Sequence, residues 1–140
     1  MPNAPSSMRS SWATYPAIRS AFFEIHVVYP NAKPNCEGLK FTEAWTRAFS
    51  DYVDRNGRAW GYRVYTLENG DKIYTEFTGT TQTVVQVDGS KKSSFEGSIR
   101  WTGGTGKYQG VRGLEWNHST FDLDKGTGQS KAEAEYWFEK

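Results

Sequence analysis

Apolar and polar residues alternate along most of this chain in segments of strand length, and no long stretch has the periodicity of a helix. Short groups of turn-forming residues separate these segments. Two of the groups, Arg55-Asn56-Gly57-Arg58 and Glu68-Asn69-Gly70-Asp71, contain Asn-Gly, the dipeptide most typical of a tight hairpin. Asp88-Gly89-Ser90 and Asp124-Lys125-Gly126 are typical of further strand connections. The pattern predicts an antiparallel meander.

The predicted strands are residues 21–29, 41–54, 58–67, 71–87, 94–102, 114–123 and 129–139. The segment 71–87 is too long for one flat strand, and Gly79 near its centre predicts a bend or the start of a second strand. Strands of this number and length close most simply into a small barrel. The predicted fold class is all-β: a single antiparallel up-and-down β-barrel of about seven to eight strands.

Proline marks the boundary between an N-terminal arm and the barrel. All 5 prolines lie at or before Pro34, and the rest of the chain contains none. Proline removes a hydrogen-bond donor from a strand, so its absence after Pro34 agrees with a long run of paired strands. We expect a mobile arm over residues 1–15 and one barrel domain over residues 16–140, since 140 residues suit one compact domain.

Charge and hydropathy exclude several kinds of partner. The formal net charge is +1, and the basic residues are scattered among acidic ones, so we expect neither nucleic acid nor an anionic membrane as a partner. No apolar run approaches the roughly 20 residues that span a bilayer, and no signal-peptide core precedes the strands. We expect a soluble chain whose location the sequence leaves open.

Cysteine and histidine are too few for a disulfide or a typical metal site. Cys36 is the single cysteine, and no His or Cys lies near it at a metal-ligand spacing. A metal site formed by His26, His118 and a carboxylate is a weak alternative. The sequence therefore predicts an inert thiol, no metal and no cofactor.

The alternation also predicts which side chains face the interior. On the last segment Lys131, Glu133, Glu135 and Glu139 alternate with residues that we expect inside: Ala132, Ala134, Tyr136 and Phe138. By the same reasoning the inward residues of two other segments are Phe95, Gly97, Ile99 and Trp101, and Ile73, Thr75 and Phe77. Trp101, Tyr136 and Phe138 are therefore expected in the apolar wall of any cavity.

The segment 41–51 does not divide in this way. One of its faces carries both aromatic and charged side chains: Phe41, Glu43, Trp45, Arg47, Phe49 and Asp51. If this face points inward, Glu43 and Arg47 pair across a cavity, because burying them unpaired costs several kcal/mol. If it points outward, it is an exposed surface or a subunit interface. Both interpretations stay open on the sequence alone.

Glycine is concentrated between Trp101 and Gly113, in the sequence Trp-Thr-Gly-Gly-Thr-Gly-Lys-Tyr-Gln-Gly-Val-Arg-Gly. Such a window permits backbone with positive φ and a close crossing of strands at a barrel rim. The stretch from Gly103 to Gly113 resembles the glycine turn of the allene oxide cyclase and dirigent-like barrels. Two weaker similarities are the hairpin strand from Gly70 to Gly79 and Phe23-Glu24-Ile25-His26, which resembles the first-strand Tyr-Glu-Ile-Asn of the cyclases.

This resemblance implies an eight-stranded barrel that holds a hydrophobic small molecule, in a family known for trimers. Cyclases of the family steer a reactive epoxide to one ring product, with a glutamate and an asparagine of the first strand facing the pocket. Glu24 matches that glutamate, whereas His26 replaces the asparagine. Dirigent proteins similarly steer the coupling of phenoxy radicals. The glycine turn marks the fold and carries no chemistry of its own.

Histidines supply the other candidates for chemistry, since they titrate near neutral pH. His118 shares a strand face with Leu114 and Trp116, which predicts that it faces the cavity; the alternative is a structural histidine. His26 and Glu24 share a face and form either a polar patch in the pocket or a solvated stripe. His118 and Ser119 are neighbours that point to opposite faces, so they form no Ser-His couple.

The sequence thus predicts a small barrel that binds a hydrophobic molecule and guides its cyclisation or coupling by confinement, without a cofactor. The predicted catalytic residues are Glu24, His26 and His118. The predicted ligand-binding residues are Trp101, Trp116, Tyr136, Phe138, Glu43 and Arg47. Two alternatives stay open: a non-catalytic carrier resembling the lipocalins, and a solidly packed structural or interaction barrel. We expect a hydrophobic small molecule as partner, with a homo-oligomer, trimer or dimer, as a further expectation.

Overall fold

A computed structural model describes residues 18–122 and 124–140, and these form one antiparallel sheet of seven strands in the order β1-β2-β3-β4-β5-β6-β7. The predicted all-β, up-and-down class is confirmed. A 3₁₀ turn, Gly106–Tyr108, lies between the fifth and sixth strands. The strands are β1 (Ile18–Val28), β2 (Phe41–Val53), β3 (Asn56–Leu67), β4 (Lys72–Val85), β5 (Lys91–Gly104), β6 (Val111–Asp122) and β7 (Thr127–Phe138).

The arm predicted for residues 1–15 lies outside the described residues, as does residue 123 at the end of the predicted sixth strand. Within the described ranges, no helix has the length and apolar character needed to cross a membrane.

Most turns lie where the sequence places them, but the first hairpin does not. Gly70, Gly89 and Gly126 have positive φ between consecutive strands, which confirms those three turns. Between β2 and β3, however, Val53 pairs with Asn56, and the loop residues Asp54 and Arg55 both have positive φ. The expected Asn56-Gly57 turn is wrong because the hairpin closes two residues earlier, on a loop of the type I′ kind.

Strand β4 is continuous, and no second strand begins at Gly79. Gly79 instead provides space: a Cβ atom there would lie 2.2 Å from the ring of Phe95 on β5. Glycine is required at position 79 because the Phe95 ring occupies the space that a side chain there would need. Gly79 therefore does not interrupt the strand.

The sheet curls around a shared interior. Its core is formed mainly by inward side chains of β2 to β6, among them Ala48, Leu67, Ile73 and Ile99. Inward residues of β1 and of β7 line the same cavity, yet the two strands are the unpaired edges of the described sheet. Among the described residues, the barrel is therefore open along one side, between β1 and β7.

The predicted faces of β4, β5 and β7 are correct, and the ambiguous β2 is resolved. Its inward residues are small, Ala44, Thr46, Ala48 and Ser50, whereas Trp45, Arg47, Phe49 and Asp51 are exposed on the outer surface. Phe41 lies before a register shift in β2 and packs inward, with its ring 5.3 Å from that of Tyr65. The bulge thus separates Phe41 from the aromatic row with which it alternates in sequence.

The glycine-rich window forms one end of the barrel. Both flanking strands extend into it, to Gly104 and from Val111, so the strands are longer than predicted. Gly106 has φ +56°, and Asp71 accepts a hydrogen bond from the backbone N–H of Lys107 at 3.0 Å, which holds the 3₁₀ turn to the β3–β4 loop. A Cβ on Gly106 would lie 2.1 Å from the Asp71 carboxylate, so both backbone and space require glycine there.

Candidate functional site

A cavity of about 580 Å³ lies inside the curled sheet, within the range of small-molecule sites. One side of it is apolar and comes from the edge strands and aromatic residues. The other side is a polar stripe on β3 and β6. The lining residues are Ile25, Val27, Tyr29, Ala32, Phe41, Arg63, Tyr65, Trp101, Glu115, Asn117, Ser119, Ser130, Ala132, Ala134 and Tyr136.

Trp101 and Tyr136 form the aromatic wall, as the sequence predicts. Their rings stack with centroids 4.9 Å apart, and both residues are register partners of Gly113 on the strand between them. A Cβ on Gly113 would lie 2.9 Å from the Tyr136 Cβ and 3.2 Å from the Trp101 indole. The third predicted wall residue, Phe138, shares this face but lies beyond the cavity lining, with its ring edge-on to Tyr136 and near Tyr108.

Glu115 is the centre of the polar stripe. It is only 5% exposed, and Tyr65 donates its hydroxyl hydrogen bond to the two carboxylate oxygens at 3.0 and 3.2 Å. The indole N–H of Trp101 donates to Glu115 Oε2 at 3.0 Å. Three strands thus hold one buried carboxylate, which fixes its orientation towards the cavity.

Arg63 supplies the positive charge of the same stripe. Its Nε donates to Thr46 Oγ1 at 2.9 Å, and its Nη1 lies 3.4 Å from the Tyr65 hydroxyl oxygen. The Tyr65 hydroxyl therefore lies between the guanidinium and the Glu115 carboxylate. The two charges compensate each other through one phenol, the arrangement that allows charged groups to remain in a low-dielectric interior.

Burial shifts the ionisation of two cavity tyrosines. Burial raises the pKa of Tyr65 well above its usual range, and the negative charge of Glu115 raises it further. Burial also raises the pKa of Tyr29. Both phenols are therefore neutral hydrogen-bonding groups at physiological pH, able to orient a ligand but not to act as bases.

A second, uncharged polar group continues along β6 towards the other end of the cavity. The Asn117 amide donates to Ser130 Oγ at 3.0 Å, and the Ser119 hydroxyl donates to Asn117 Oδ1 at 2.9 Å. Together with Glu115, these residues give the cavity a polar stripe along its length, opposite the apolar side chains of β1.

The loop between β1 and β2 covers one end of the cavity. Tyr29 and Ala32 contribute to the lining, and Tyr136 donates a hydrogen bond to Glu37 Oε2 at 2.7 Å. The Asn35 amide donates to the Tyr108 hydroxyl at 2.7 Å. The loop is thereby attached to β7 and to the 3₁₀ turn, and Tyr136 belongs both to the wall and to this attachment.

The expectation that Glu24 and His26 face the cavity is wrong. Both lie on the outer face of β1, where Arg47 Nε donates to Glu24 at 2.6 Å and His26 Nε2 lies 2.7 Å from Glu43 Oε2. His26 also stacks on the exposed ring of Trp45, with centroids 4.2 Å apart. Glu43 and Arg47, predicted as ligand-binding residues, share this outer face.

His118 and Trp116 are likewise on the outside. Trp116 is 67% exposed, and His118 pairs with Glu96 of β5 on the outer surface. The inward residues of β6 are Val111, Gly113, Glu115, Asn117 and Ser119. The prediction failed because it placed the aromatic face inside, whereas the interior of β6 is polar and its outer surface is aromatic.

The residues that form the polar stripe, Arg63, Tyr65, Glu115, Asn117 and Ser119, were not predicted. The residues of β6 follow once the strand pairing is known. Trp101 was placed inside and Gly113 is its register partner, so Gly113 and then Glu115 face inward by alternation. The inward direction of Glu115 can therefore be inferred from the pairing of β5 with β6, but not from the alternation within β6 alone.

The cavity thus has an apolar side and a polar side, and the polar side carries one carboxylate and one guanidinium. Across the residues that the structure describes, no three His, Cys, Asp or Glu side chains are grouped as a metal would need. No protein-family model, no curated protein and no solved structure matches the chain.

Proposed function

We propose that this protein binds a small amphipathic molecule in the cavity, with the apolar body of the ligand against β1 and β7 and its polar group against the Arg63–Tyr65–Glu115 cluster. The observation that carries the proposal is a cavity of about 580 Å³ that combines an apolar wall with the buried Glu115 carboxylate, which the Tyr65 hydroxyl links to Arg63. Such a combination is typical of small-molecule sites. It favours a binding protein over a solidly packed barrel.

The experiment fills the cavity from its apolar side. Ala134 lines the cavity on β7, whereas its neighbour Glu133 points to the outer face, so Ala134→Trp and Glu133→Trp add the same side chain to opposite faces of one strand. Binding is followed by the fluorescence of 1-anilinonaphthalene-8-sulfonate, and native mass spectrometry identifies any co-purified molecule. We expect Ala134→Trp to abolish probe binding while Glu133→Trp leaves it unchanged. Equal binding by both folded variants would contradict the proposal.

A second candidate function is that the cavity steers the cyclisation or coupling of its ligand, as the resemblance to allene oxide cyclases and dirigent-like barrels implies. One observation favours it: Arg63 and Glu115 fix two opposite charges on the polar side of the cavity, across from the apolar side chains of β1, so a reactive ligand would be held in one orientation. Because Glu24, His26 and His118 lie outside, the groups available are Arg63, Tyr65 and Glu115. A carrier would use the same groups without turnover.

Steering is tested with a reaction that proceeds without the protein. A one-electron oxidant generates phenoxy radicals from a 4-hydroxycinnamyl alcohol, and chiral chromatography measures the enantiomers of the coupled product. We expect the protein to give an enantiomeric excess that Glu115→Gln reduces and the outer-face variant Glu133→Gln leaves intact. A racemic product in the presence of a bound alcohol would favour the carrier.

A further inference from the structure

The outer surface of β2, β3 and β4 carries an unusual number of exposed aromatic side chains. Their exposed fractions run from 40 to 67%: Trp45 40%, Phe49 50%, Trp60 40%, Tyr62 67% and Tyr74 41%. Contiguous exposed apolar patches of this kind are rare on monomers, and aromatic residues are enriched in protein interfaces. None of these five residues lines the interior cavity.

One row of charges on this surface is arranged antisymmetrically about β3, and Arg58 lies on the outer face of β3 itself, over the ring of Trp60. Arg47 on β2, Tyr62 on β3 and Glu76 on β4 are direct register partners and form one row across the sheet. The row is positive on one side of Tyr62 and negative on the other. In the adjacent row, the large ring of Phe49 and the small side chain of Thr78 lie on either side of Trp60.

A second copy of the chain fits such a surface. In an isologous dimer every residue on one side of the two-fold axis meets its counterpart from the other side. An axis along β3 places Arg47 opposite Glu76 of the partner subunit and Phe49 opposite Thr78 of the partner subunit. We propose that two copies associate face to face through the outer surface of β2, β3 and β4 about this axis, with Tyr62 and Trp60 at its centre.

The ion pairs already present in one chain support this arrangement. Arg47 is paired with Glu24, and Glu76 is paired with Arg100, and all four side chains are well exposed. Exposed pairs contribute little to stability because water screens them. In the dimer the Arg47–Glu24 pair of one subunit lies opposite the Glu76–Arg100 pair of the other. Each charge then has an opposite charge across the interface, in a less polar environment than water. Glu24 and Arg100, one strand farther from the axis, would form the rim.

The oligomeric state of the full-length chain tests the proposal. Light scattering after size exclusion and sedimentation equilibrium should give twice the chain mass of 15.9 kDa. Arg47→Glu and Glu76→Arg each place like charges across the axis, and we expect each to raise the dimer dissociation constant by about ten-fold or more. Glu133→Arg, a charge reversal on the outer face of β7, is the matched control and should leave the dimer intact. A wild-type monomer or trimer would overturn the proposal. So would a pure chain that stays monomeric while a different protein binds this surface.

Mixing the two charge-reversal variants gives the most specific result. In a heterodimer of Arg47→Glu with Glu76→Arg, both contacts across the axis are again between opposite charges, whereas each homodimer has two repulsive contacts. We expect the mixed variants to form a heterodimer with a lower dissociation constant than the homodimer of either variant. Two folded variants that stay monomeric when mixed would rule out the two-fold pairing, and circular dichroism of each variant establishes that it is folded.

Discussion

The Tyr65 hydroxyl lies 3.0 Å from one Glu115 carboxylate oxygen and 3.2 Å from the other, and it lies 3.4 Å from the Arg63 guanidinium. One phenol therefore connects the buried Glu115 carboxylate with the partly buried Arg63 guanidinium. Removing any of the three groups leaves the other two with unsatisfied hydrogen bonds or an uncompensated charge. The polar cluster is thus a structural unit as well as the candidate binding determinant.

Glu115→Ala should destabilise the fold strongly. It leaves the Tyr65 hydroxyl and the Trp101 N–H without their acceptor and Arg63 without its counter-charge, and we expect the free energy of unfolding to fall by about 3 kcal/mol. Urea denaturation measures this change. Glu133→Ala, on the exposed face of β7, should change stability by less than about 0.5 kcal/mol. Similar losses in both variants would show that Glu115 is not a buried hydrogen-bonding centre.

Stability should fall at alkaline pH. Burial raises the pKa of Tyr29, Tyr65, Tyr108 and Tyr136 in the folded state. The folded state therefore holds these protons more tightly than the unfolded state. The resulting stabilisation is complete below the unfolded tyrosine pKa of about 10 and is lost as the pH rises through the higher folded values.

Urea denaturation at a series of pH values, with phenolate absorbance, follows this effect. We expect several tyrosines to ionise only on unfolding. Tyr65→Phe should reduce the slope of stability against pH, because it removes one of the phenols whose pKa is raised by burial. A wild-type protein whose tyrosines all ionise together near pH 10, while folded, would contradict the burial of these phenols.

Gly113→Ala should disturb the aromatic wall. The added Cβ would lie 2.8 Å from the Glu135 backbone oxygen and 2.9 Å from the Tyr136 Cβ, so the strands or rings must move. We expect a loss of about 1–3 kcal/mol and a change in near-ultraviolet circular dichroism as Trp101 shifts. Gly103→Ala is the matched control from the same glycine window, since its Cβ would meet only the Arg112 side chain at 3.9 Å. Equal effects of the two would argue against the stacked wall.

Glu37→Ala should loosen the loop between β1 and β2. Tyr136 loses the acceptor of its 2.7 Å hydrogen bond and Tyr108 loses the acceptor of a 3.4 Å one, so two attachments of the loop to the barrel disappear. We expect faster amide hydrogen exchange at Glu37 and Leu39, with little change in the global free energy of unfolding. Lys33→Ala, an exposed substitution in the same loop, is the control. Unchanged exchange in Glu37→Ala would show that Asn35 and the backbone alone hold the loop.

The positions of most turns and strands could be predicted from the sequence, and so could the inner faces of β4, β5 and β7. On these strands the interior is apolar, so alternation identifies it directly. The prediction was wrong about the direction of Glu24, His26, Trp116 and His118. On β6 the outer surface carries Trp116 and the interior carries Glu115 and Asn117, so hydrophobicity favours the wrong face. On β1 the interior is apolar, with Ile25 and Val27, and the expectation for Glu24 and His26 came from the resemblance to the cyclases.

The sequence by itself determined an antiparallel meander, because hairpin turns and period-two alternation act over a few residues. It also determined that Trp101 and Tyr136 face inward. Only the tertiary structure decided that Arg63, Tyr65 and Glu115 meet, since they come from β3 and β6, which approach each other when the sheet curls. Register between distant strands depends on the packing of the whole sheet, and that packing turned the aromatic face of β2 outward and enclosed a charge pair around one phenol.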